Sequence, residues 1–114
     1  MTRHEERKYL YDIVEACQNI ESFTQEMSLD RYLQELVIRS AVERQFLIVG
    51  EALGQAIRMS PDLAAKVTDA DKIISFRNRL VHGYSSVSDE VVWGIVQGSL
   101  PRLLIETRKL LEEQ

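Results

Sequence analysis

The sequence predicts an all-α protein of one domain spanning residues 1–114. Apolar residues recur three and four positions apart in every long segment, as they do on one face of a helix. No segment shows the sustained alternation of apolar and polar residues that is typical of a strand. Short polar stretches that begin with helix-capping residues separate the segments, and no linker or low-complexity tract is present. We therefore expect an antiparallel bundle of four to five helices around a single core.

The first half of the chain is predicted to form two helices. The first runs from about Lys8 to Phe23, with its apolar face made by Leu10, Ile13, Val14, Cys17, Ile20 and Phe23. Ser28 is predicted to cap the second, which runs from about Leu29 to Met59. That helix would span about 45 Å, so it either bends or projects towards a second subunit. Its apolar face carries Leu33, Leu36, Val37, Ala41, Leu47, Ile48 and Ala52.

Two glycines and two charged residues interrupt the second helix. Gly50 and Gly54 lower its intrinsic stability, and they either allow a bend or let another helix approach closely. Arg44 and Glu51 both fall within the apolar arc, where a charged side chain needs a partner. Glu51 is predicted to pair with Arg77 and orient it, and an Arg44–Glu51 pair is the alternative that the sequence leaves open.

Two shorter signals precede the next long helix. Ser60 and Pro61 are predicted to cap and open a short helix that ends near Val67. Thr68 and Asp71 have the spacing of a capping box, with Asp in place of the usual Glu, and are predicted to start the following helix.

The last helix is predicted to open at Ser88, which acts as its N-cap. Pro101 lies inside the helical pattern and predicts a kink near Gly98–Leu100. Trp93, near the start, is expected to pack in the core or an interface rather than to stack on RNA. The core face of this helix carries Val92, Ile95, Val96, Leu100, Leu103, Leu104, Leu110 and Leu111.

The stretch that carries the chemistry is 73–84, with the sequence I-I-S-F-R-N-R-L-V-H-G-Y. At about 100° per residue, Arg77 points into the apolar face of this helix. Asn78 and His82 are four residues apart and form a second stripe at the edge of that face. Tyr84 follows just beyond the end of the helix.

An arginine on an apolar arc has two explanations. Arg77 either forms a salt bridge to a carboxylate on a neighbouring helix, with His82 as a surface residue, or it contributes to an anion site. The guanidinium suits phosphate because it bonds bidentately and stays charged, and histidine suits proton transfer. Arg79 is expected to be solvated. Gly83 is predicted to end the helix as a left-handed residue.

Composition excludes several classes of protein. The net charge of −4 and the pI of about 5.2 argue against a protein that coats nucleic acid, although a local cationic cleft needs only a few arginines. Two histidines and one cysteine without ligand spacing predict no metal site, and the lack of a glycine-rich phosphate loop predicts no nucleotide cofactor.

The single cysteine and the apolar runs bear on the compartment. Cys17 has no disulfide partner within the chain, is expected to be buried rather than a nucleophile, and fits a reducing cytoplasm. No apolar run approaches the length of a membrane span, and the charged N-terminus predicts no signal peptide. We expect a cytoplasmic protein.

The motif Arg77-x4-His82-x-Tyr84, with Asn78 directly after the arginine, resembles the signature of the HEPN superfamily. Within it, the chain is most similar to the HepT-like toxins, which pair with a minimal nucleotidyltransferase antitoxin. The similarity covers nearly the whole chain and includes A-V-E-R at 41–44, I-V-G-E-A at 48–52 and V-W-x-I-V with a following L-P at 92–101.

The resemblance implies a homodimer of HEPN-type bundles whose two motif helices face each other across a cleft. It also implies metal-independent RNA cleavage, in which the 2′-hydroxyl attacks the adjacent phosphate. His82 would act as general acid/base, Arg77 would neutralise charge on phosphorus, and Asn78 would position the histidine or a phosphate oxygen. Tyr84 would accept AMP from the nucleotidyltransferase, or would instead pack over Leu80.

Two other classes of function stay open. Some HEPN proteins bind nucleotides or act as partner subunits of a nucleotidyltransferase without cutting RNA, and the acidic pI keeps that alternative in view. A purely structural helical dimer leaves the grouping of Arg77, Asn78 and His82 unexplained. One departure from the family is T-D-A-D at 68–71, where many relatives carry a Pro-Trp pair, and it implies a different approach to the cleft.

Overall fold

The structure is a computed structural model that describes residues 3–113. For Arg3 and Tyr84 it describes only the backbone. The described chain contains no strand, so the prediction of an all-α fold is confirmed. Its helices are α1 (Arg3–Phe23), α2 (Leu29–Gln34), α3 (Leu36–Met59), α4 (Leu63–Lys66), α5 (Ala70–His82), α6 (Asp89–Gln97) and α7 (Ser99–Glu112), with a 3-10 turn at Tyr84–Ser86.

The long helices α1 and α3 form an antiparallel pair at the centre of the bundle. Asn19 Nδ2 donates to Gln45 Oε1 (3.2 Å) towards one end of the pair, and Ser60 Oγ donates to Glu6 Oε2 (2.9 Å) at the other. Helix α5 packs against α3, and helix α7 packs against α1. The core between them is apolar and includes Leu10, Ile13, Cys17, Ile20, Val42, Phe46, Val49, Leu53, Leu100, Leu103 and Leu104.

The prediction of one helix from Leu29 to Met59 is wrong, because the chain breaks at Glu35. Glu35 has φ −111° and ψ 84°, which ends α2 and starts α3. The predicted cap is confirmed, since Ser28 Oγ accepts a hydrogen bond from the Arg31 N–H (3.1 Å). At the break, the Tyr32 carbonyl accepts from the Glu35 N–H (3.2 Å), and a side chain from α3 also binds carbonyl groups at the end of α2.

That side chain is Arg39, which holds the elbow between α2 and α3. Its Nη1 donates to the carbonyl oxygens of Tyr32 (3.2 Å) and Leu33 (2.6 Å). Its Nε lies 3.4 Å from Asp89 Oδ2 at the start of α6. The Tyr32 ring packs on Trp93 of α6 with centroids 5.1 Å apart, so the expected packing role of Trp93 is confirmed. The elbow and the N-terminus of α6 therefore lie together.

The apolar face predicted for the second helix is also partly wrong. Leu33, Leu36 and Val37 are exposed, Leu36 to 67% and Val37 to 78%. Ala52 is buried as predicted, whereas Ala41, Leu47 and Ile48 are only half-buried. The break at the elbow changes the direction of the helix and turns a neighbouring face inward. The buried residues of α3 are Val42, Phe46, Val49, Gly50, Ala52, Leu53 and Ala56.

Two predicted caps before α5 are replaced by contacts with distant helices. Helix α4 begins at Leu63 rather than at Pro61, and the Ser60 hydroxyl binds α1 instead of capping α4. The capping box at Thr68 is absent, because the Thr68 N–H and hydroxyl both donate to the Glu106 carboxylate of α7 (2.9 and 2.5 Å). Asp69, with φ 57°, precedes α5 without a side-chain cap.

The last predicted helix is interrupted near Gly98, where the sequence predicted a kink. The Ser88 hydroxyl accepts from the N–H groups of Glu90 (3.2 Å) and Val91 (3.4 Å), which confirms this cap. The expected kink is a full break at Gly98, where α6 ends and α7 begins. Val92, Val96, Leu100, Leu103, Leu104 and Leu110 are buried as predicted.

Cys17 is fully buried, as predicted. Burial, with a smaller contribution from Glu21, raises the pKa of its thiol to about 12. The neutral thiol is therefore the form held in the core. No helix within residues 3–113 has the length and apolar character needed to cross a membrane.

Gly50 is a point of close approach between α3 and α5. A Cβ placed on Gly50 would overlap Cβ of Arg77 and would lie 2.6 Å from its Cγ. The sequence left two roles open for the glycines, and Gly50 takes the role of close approach. A Cβ on Gly54 would meet nothing within 4 Å.

The two glycines give a matched pair for mutation. Gly50→Ala should destabilise the fold by about 1–3 kcal/mol, because the new methyl group overlaps the arginine stem. Gly54→Ala should stabilise it by about 0.5–1 kcal/mol through helix propensity alone. Urea unfolding of both variants checks the expectation, and equal effects of the two substitutions would contradict the packing described for Gly50.

Candidate functional site

Arg77 is anchored at its stem and at its head. The stem packs on Gly50, and Nη2 of the guanidinium lies 3.1 Å from Oε2 of Glu51, the next residue along α3. Nη1 donates to Asn78 Oδ1 (3.0 Å). The arginine side chain is 29% exposed and that of Glu51 is 56% exposed. The predicted Arg77–Glu51 contact is thus present, and it holds the guanidinium at the surface.

Arg77 and Glu51 face an open groove with a volume of about 380 Å³. Three helices form it, and its walls alternate apolar and charged side chains. A groove of this size is large enough to admit part of a small organic molecule or a segment of an extended polymer. The lining residues are Tyr9 and Asp12 from α1, Arg44, Leu47, Ile48, Glu51 and Ala52 from α3, and Arg77 and Val81 from α5.

The groove carries balanced charge. Arg44 lines it without an ion pair or hydrogen bond to any described residue, so the alternative Arg44–Glu51 pair is not formed. The groove is lined by two arginines, Arg44 and Arg77, and by two carboxylates, Asp12 and Glu51. A phosphate entering beside Arg77 would therefore compete with Glu51 for the same guanidinium.

His82 lies in the last turn of α5 and is exposed. It follows Asn78 by one helical turn, so the predicted stripe of these two residues is present on one edge of the helix. His82 is about 140° around the helix axis from Arg77 and does not line the groove. The described chain thus joins Glu51, Arg77 and Asn78 by direct contacts and places His82 one turn beyond them.

The segment after α5 is folded into a turn by backbone and side-chain contacts. The Gly83 N–H donates to the Arg79 carbonyl (2.8 Å), and Gly83 has φ −142°, so its predicted left-handed conformation is wrong. Arg79 is exposed, as expected, but Nη2 also donates to the Ser86 carbonyl (3.1 Å). Tyr84 begins the 3-10 turn. Its side chain lies outside the described residues, so its predicted presentation stays a prediction.

The elbow between α2 and α3 brings together charged groups that are far apart in the sequence. Arg39 and Asp89 connect the start of α3 to the start of α6, shortly after the motif. Burial and the nearby Asp89 raise the pKa of the Glu43 carboxyl. Burial, with Asp89 and Glu43, also raises the pKa of Tyr32, whose hydroxyl has no hydrogen-bond partner among the described residues. Only tertiary structure brings these groups together, because no local spacing links them.

Metal ligands do not cluster in the part of the chain that the structure describes. No group of three or more histidine, cysteine, aspartate or glutamate side chains there is arranged to hold an ion. The site is instead defined by a guanidinium, a carboxylate, an amide and an imidazole on two adjacent helices.

An all-α bundle with an arginine and a histidine at this spacing on one helix is typical of the HEPN superfamily. Residues 13–110 match the Ribonuclease HepT-like family, and the chain belongs to that family. The resemblance noted from the motif is therefore confirmed.

Three relatives are similar to the chain over almost their whole length. The chain is 31% identical over 108 residues to the Probable ribonuclease HepT of Thermococcus cleftensis, covering 91% of this chain and 94% of the relative. It is 27% identical over 117 residues to a provisionally named RNase of Methanocaldococcus jannaschii, with 99% and 93% covered. It is 23% identical over 108 residues to another from Caldanaerobacter subterraneus, with 95% and 96% covered. No solved structure gives a significant match.

Proposed function

We propose that this protein is an endoribonuclease that cleaves RNA without a metal ion. The observation that carries the proposal is the guanidinium of Arg77, fixed by Glu51 and Asn78 at an open groove with His82 one turn along the helix. Membership of a family described as ribonucleases, and relatives named as ribonucleases, support it. RNA is therefore the substrate class that we propose.

The chemistry assigns a role to each group. Arg77 binds the scissile phosphate and neutralises the charge that develops on it as the neighbouring 2′-hydroxyl attacks. His82 exchanges a proton with the reacting oxygens. Asn78, already bonded to the guanidinium, holds the arginine in place and is close enough to His82 to orient it or a phosphate oxygen.

His82→Ala and Arg77→Ala should each reduce RNA cleavage by roughly 10²–10⁴-fold in the presence of EDTA, because each removes a group that acts on the reacting atoms. Arg77→Lys should recover little, since an ammonium group lacks the bidentate fork. His4→Ala and Arg108→Ala remove the same residue types from exposed positions on α1 and α7 and should keep wild-type rates. Cleavage of a labelled RNA, with thermal melting to confirm folding, measures the outcome.

Retention of wild-type rates by the His82 variant would contradict this assignment. Absence of cleavage by the wild type on tRNA and mRNA fragments alike would favour the non-catalytic, nucleotide- or partner-binding role instead.

We propose that the protein acts as a homodimer in which the two motif helices face a shared cleft. The exposed apolar residues Leu33, Leu36 and Val37 support it, because large exposed apolar side chains in a cluster are typical of interaction surfaces. The Arg39–Asp89 contact places this elbow close to the start of α6 and therefore at the same end of the bundle as the end of α5. The length of the second helix no longer supports a dimer, because that helix is broken at Glu35.

Sedimentation at micromolar concentration should give a dimer, and Val37→Lys should shift it towards the monomer by placing a charge at the interface. Ile105→Lys introduces the same charge at an exposed position on α7 and should leave the dimer intact. A wild-type monomer, or dissociation by the Ile105 variant alone, would contradict the proposed interface.

We propose that the ribonuclease is the toxin of a toxin–antitoxin pair and that a minimal nucleotidyltransferase silences it by adding AMP to Tyr84. The family resemblance motivates this step, and the position of Tyr84 two residues after His82 supports it. A phosphate diester on that side chain would add negative charge and bulk beside the catalytic residues. Arg77 would offer the adduct a counter-charge.

Tyr84→Phe should remain toxic in cells that also express the nucleotidyltransferase, since it lacks the hydroxyl that accepts AMP. Tyr11→Phe, an exposed tyrosine on α1, is the matched control and should still be neutralised. Mass spectrometry of the co-expressed wild type should find the AMP on the peptide that contains Tyr84. AMP on another residue, or neutralisation of the Tyr84 variant by catalysis, would favour inhibition by complex formation.

A further inference from the structure

Two arginines line the open groove, and the fold uses only one of them. Arg77 contacts Glu51 at 3.1 Å and Asn78 at 3.0 Å. Arg44 is exposed and lines the same groove, yet it makes no ion pair or hydrogen bond with any group in the described part of the chain. A guanidinium that is open towards a groove can bind a ligand, and phosphates and carboxylates are the ligands that it suits best.

Arg44 differs in this respect from the other arginines. Several of them already bind a carboxylate or a backbone carbonyl of the protein, namely Arg7, Arg31, Arg39, Arg79 and Arg102. Arg58 on α3 and Arg108 on α7 are exposed, but they do not line the groove. Among the arginines whose side chains are described, only Arg44 combines an unpaired guanidinium with a place in the wall that also holds Arg77.

Helical geometry sets the spacing of the two cations. Arg44 lies seven residues before Glu51, so both side chains project from the same face of α3, about 10 Å apart along its axis. Glu51 holds the guanidinium of Arg77 at its end of that line. The positive charge of the groove is therefore divided between two points. Because arginine side chains are long and flexible, two of them at this spacing can bind neighbouring phosphates of one strand.

Apolar side chains separate the two cations. Leu47 and Ile48 lie about one turn after Arg44 on α3, and both are half-buried. Val81 of α5 and the ring of Tyr9 of α1 line the groove from the other two helices. Such a surface suits the flat face of an unpaired base, which a duplex would keep inside its stack. The order of cation, apolar surface and cation matches the order of phosphate, nucleoside and phosphate along a single strand.

The carboxylates of the groove make a second cation more important. Asp12 and Glu51 line the groove and repel phosphate, so a strand gains affinity only where a phosphate meets a guanidinium. Glu51 also shares the guanidinium of Arg77 and so reduces the charge that this arginine presents to a ligand. Arg77 alone is therefore a weak anchor for a polyanion, and Arg44 supplies the additional charge.

We propose that Arg44 binds a second phosphate of the substrate, adjacent to the one that reacts at Arg77, and that the substrate is a single-stranded segment of RNA. This inference rests on the endoribonuclease function proposed above. Arg44 binds the strand, and the bond-making steps stay with Arg77 and His82. The groove then favours a strand that continues past the cleavage site, because a substrate with only the scissile phosphate leaves Arg44 without a ligand.

Binding of an RNA that cannot be cleaved tests this contact apart from catalysis. A short, labelled 2′-O-methyl oligonucleotide lacks the attacking hydroxyl, and fluorescence polarisation measures its affinity. Arg44→Ala should weaken binding by about 10-fold. Arg44→Lys should lose less, because it keeps the charge. Thermal melting should find both variants folded, since position 44 is exposed.

Arg58→Ala is the matched control. Arg58 lies seven residues after Glu51 on α3, as Arg44 lies seven residues before it, but Arg58 is outside the groove. Its loss changes the net charge of the protein by the same amount, and the variant should bind the oligonucleotide as the wild type does. An equal loss of affinity in the two alanine variants would overturn the inference.

The dependence of binding on salt gives a readout that a structural role for Arg44 would not change. Each phosphate contact to a single strand releases counterions, so the slope of log K against log salt concentration should become less steep by about 0.7 in Arg44→Ala. An unchanged slope would contradict a phosphate contact at this position.

Neutral linkages identify the phosphate that Arg44 binds. A strand with one unmodified ribonucleotide fixes the scissile position, and a methylphosphonate then replaces the linkage on one side of it or on the other. One of the two replacements should lower kcat/KM of the wild type by about 10-fold, whereas the same replacement should cost Arg44→Ala much less. Equal losses in both proteins, or no loss from either replacement, would overturn the inference.

The outcomes separate this inference from the proposed function. A wild type that binds no single strand, or that binds a duplex of the same sequence as tightly, would overturn the role of the groove. Cleavage by the wild type with unchanged binding by Arg44→Ala would overturn the role of Arg44 and leave the endoribonuclease proposal intact. A wild type that binds the strand through Arg44 but cuts no RNA would overturn the endoribonuclease proposal and leave the phosphate contact standing.

Discussion

The absence of a side chain at Gly50 is the constraint on which the rest of the site depends. Because the stem of Arg77 occupies that space, α5 lies directly against α3 at this level. The next residue of α3 is Glu51, so the turn that admits the arginine also supplies its carboxylate partner. One helical turn therefore sets both the distance between the helices and the direction of the guanidinium.

The energetic worth of the Arg77–Glu51 contact is modest. Both side chains reach solvent, and ion pairs of that kind contribute about 0–1 kcal/mol to stability. A contact that adds so little to the fold still restricts the rotamers of two flexible side chains, and such pre-organisation is what a reacting site needs. The groove is also locally neutral within a chain of net charge −4, so the RNA binding proposed above requires specific contacts rather than a broad positive field.

Local signals predicted the features that depend on neighbouring residues. The caps at Ser28 and Ser88 need only an N–H group two or three positions away, and both are present. The periodicity of the motif placed Arg77 on the apolar face, and the predicted contact of Arg77 with Glu51 is present. The same reasoning failed for Arg44, which was also expected to need a partner but is exposed and unpaired among the described residues.

The errors share a physical cause, which is competition from residues distant in sequence. Thr68 binds Glu106, 38 positions away, and so it cannot cap the helix beside it. The break at Glu35 contains no glycine or proline, and it is held by Arg39 and by the packing of Tyr32 on α6. The break shifts the buried face of the helix. Leu33, Leu36 and Val37, which were predicted to lie on the apolar face, are therefore exposed.

The packing of Tyr32 on Trp93 gives the molecule a built-in optical reporter. The chain has one tryptophan, and its ring lies 5.1 Å from that of Tyr32, centroid to centroid. Trp93 is four residues after Asp89, the residue that Arg39 binds at the start of α6. The tryptophan emission of the protein therefore comes from a single, half-buried indole at the junction of the elbow and the segment that follows the motif. A change in the packing of that junction would alter this emission, so it can be followed without an attached dye.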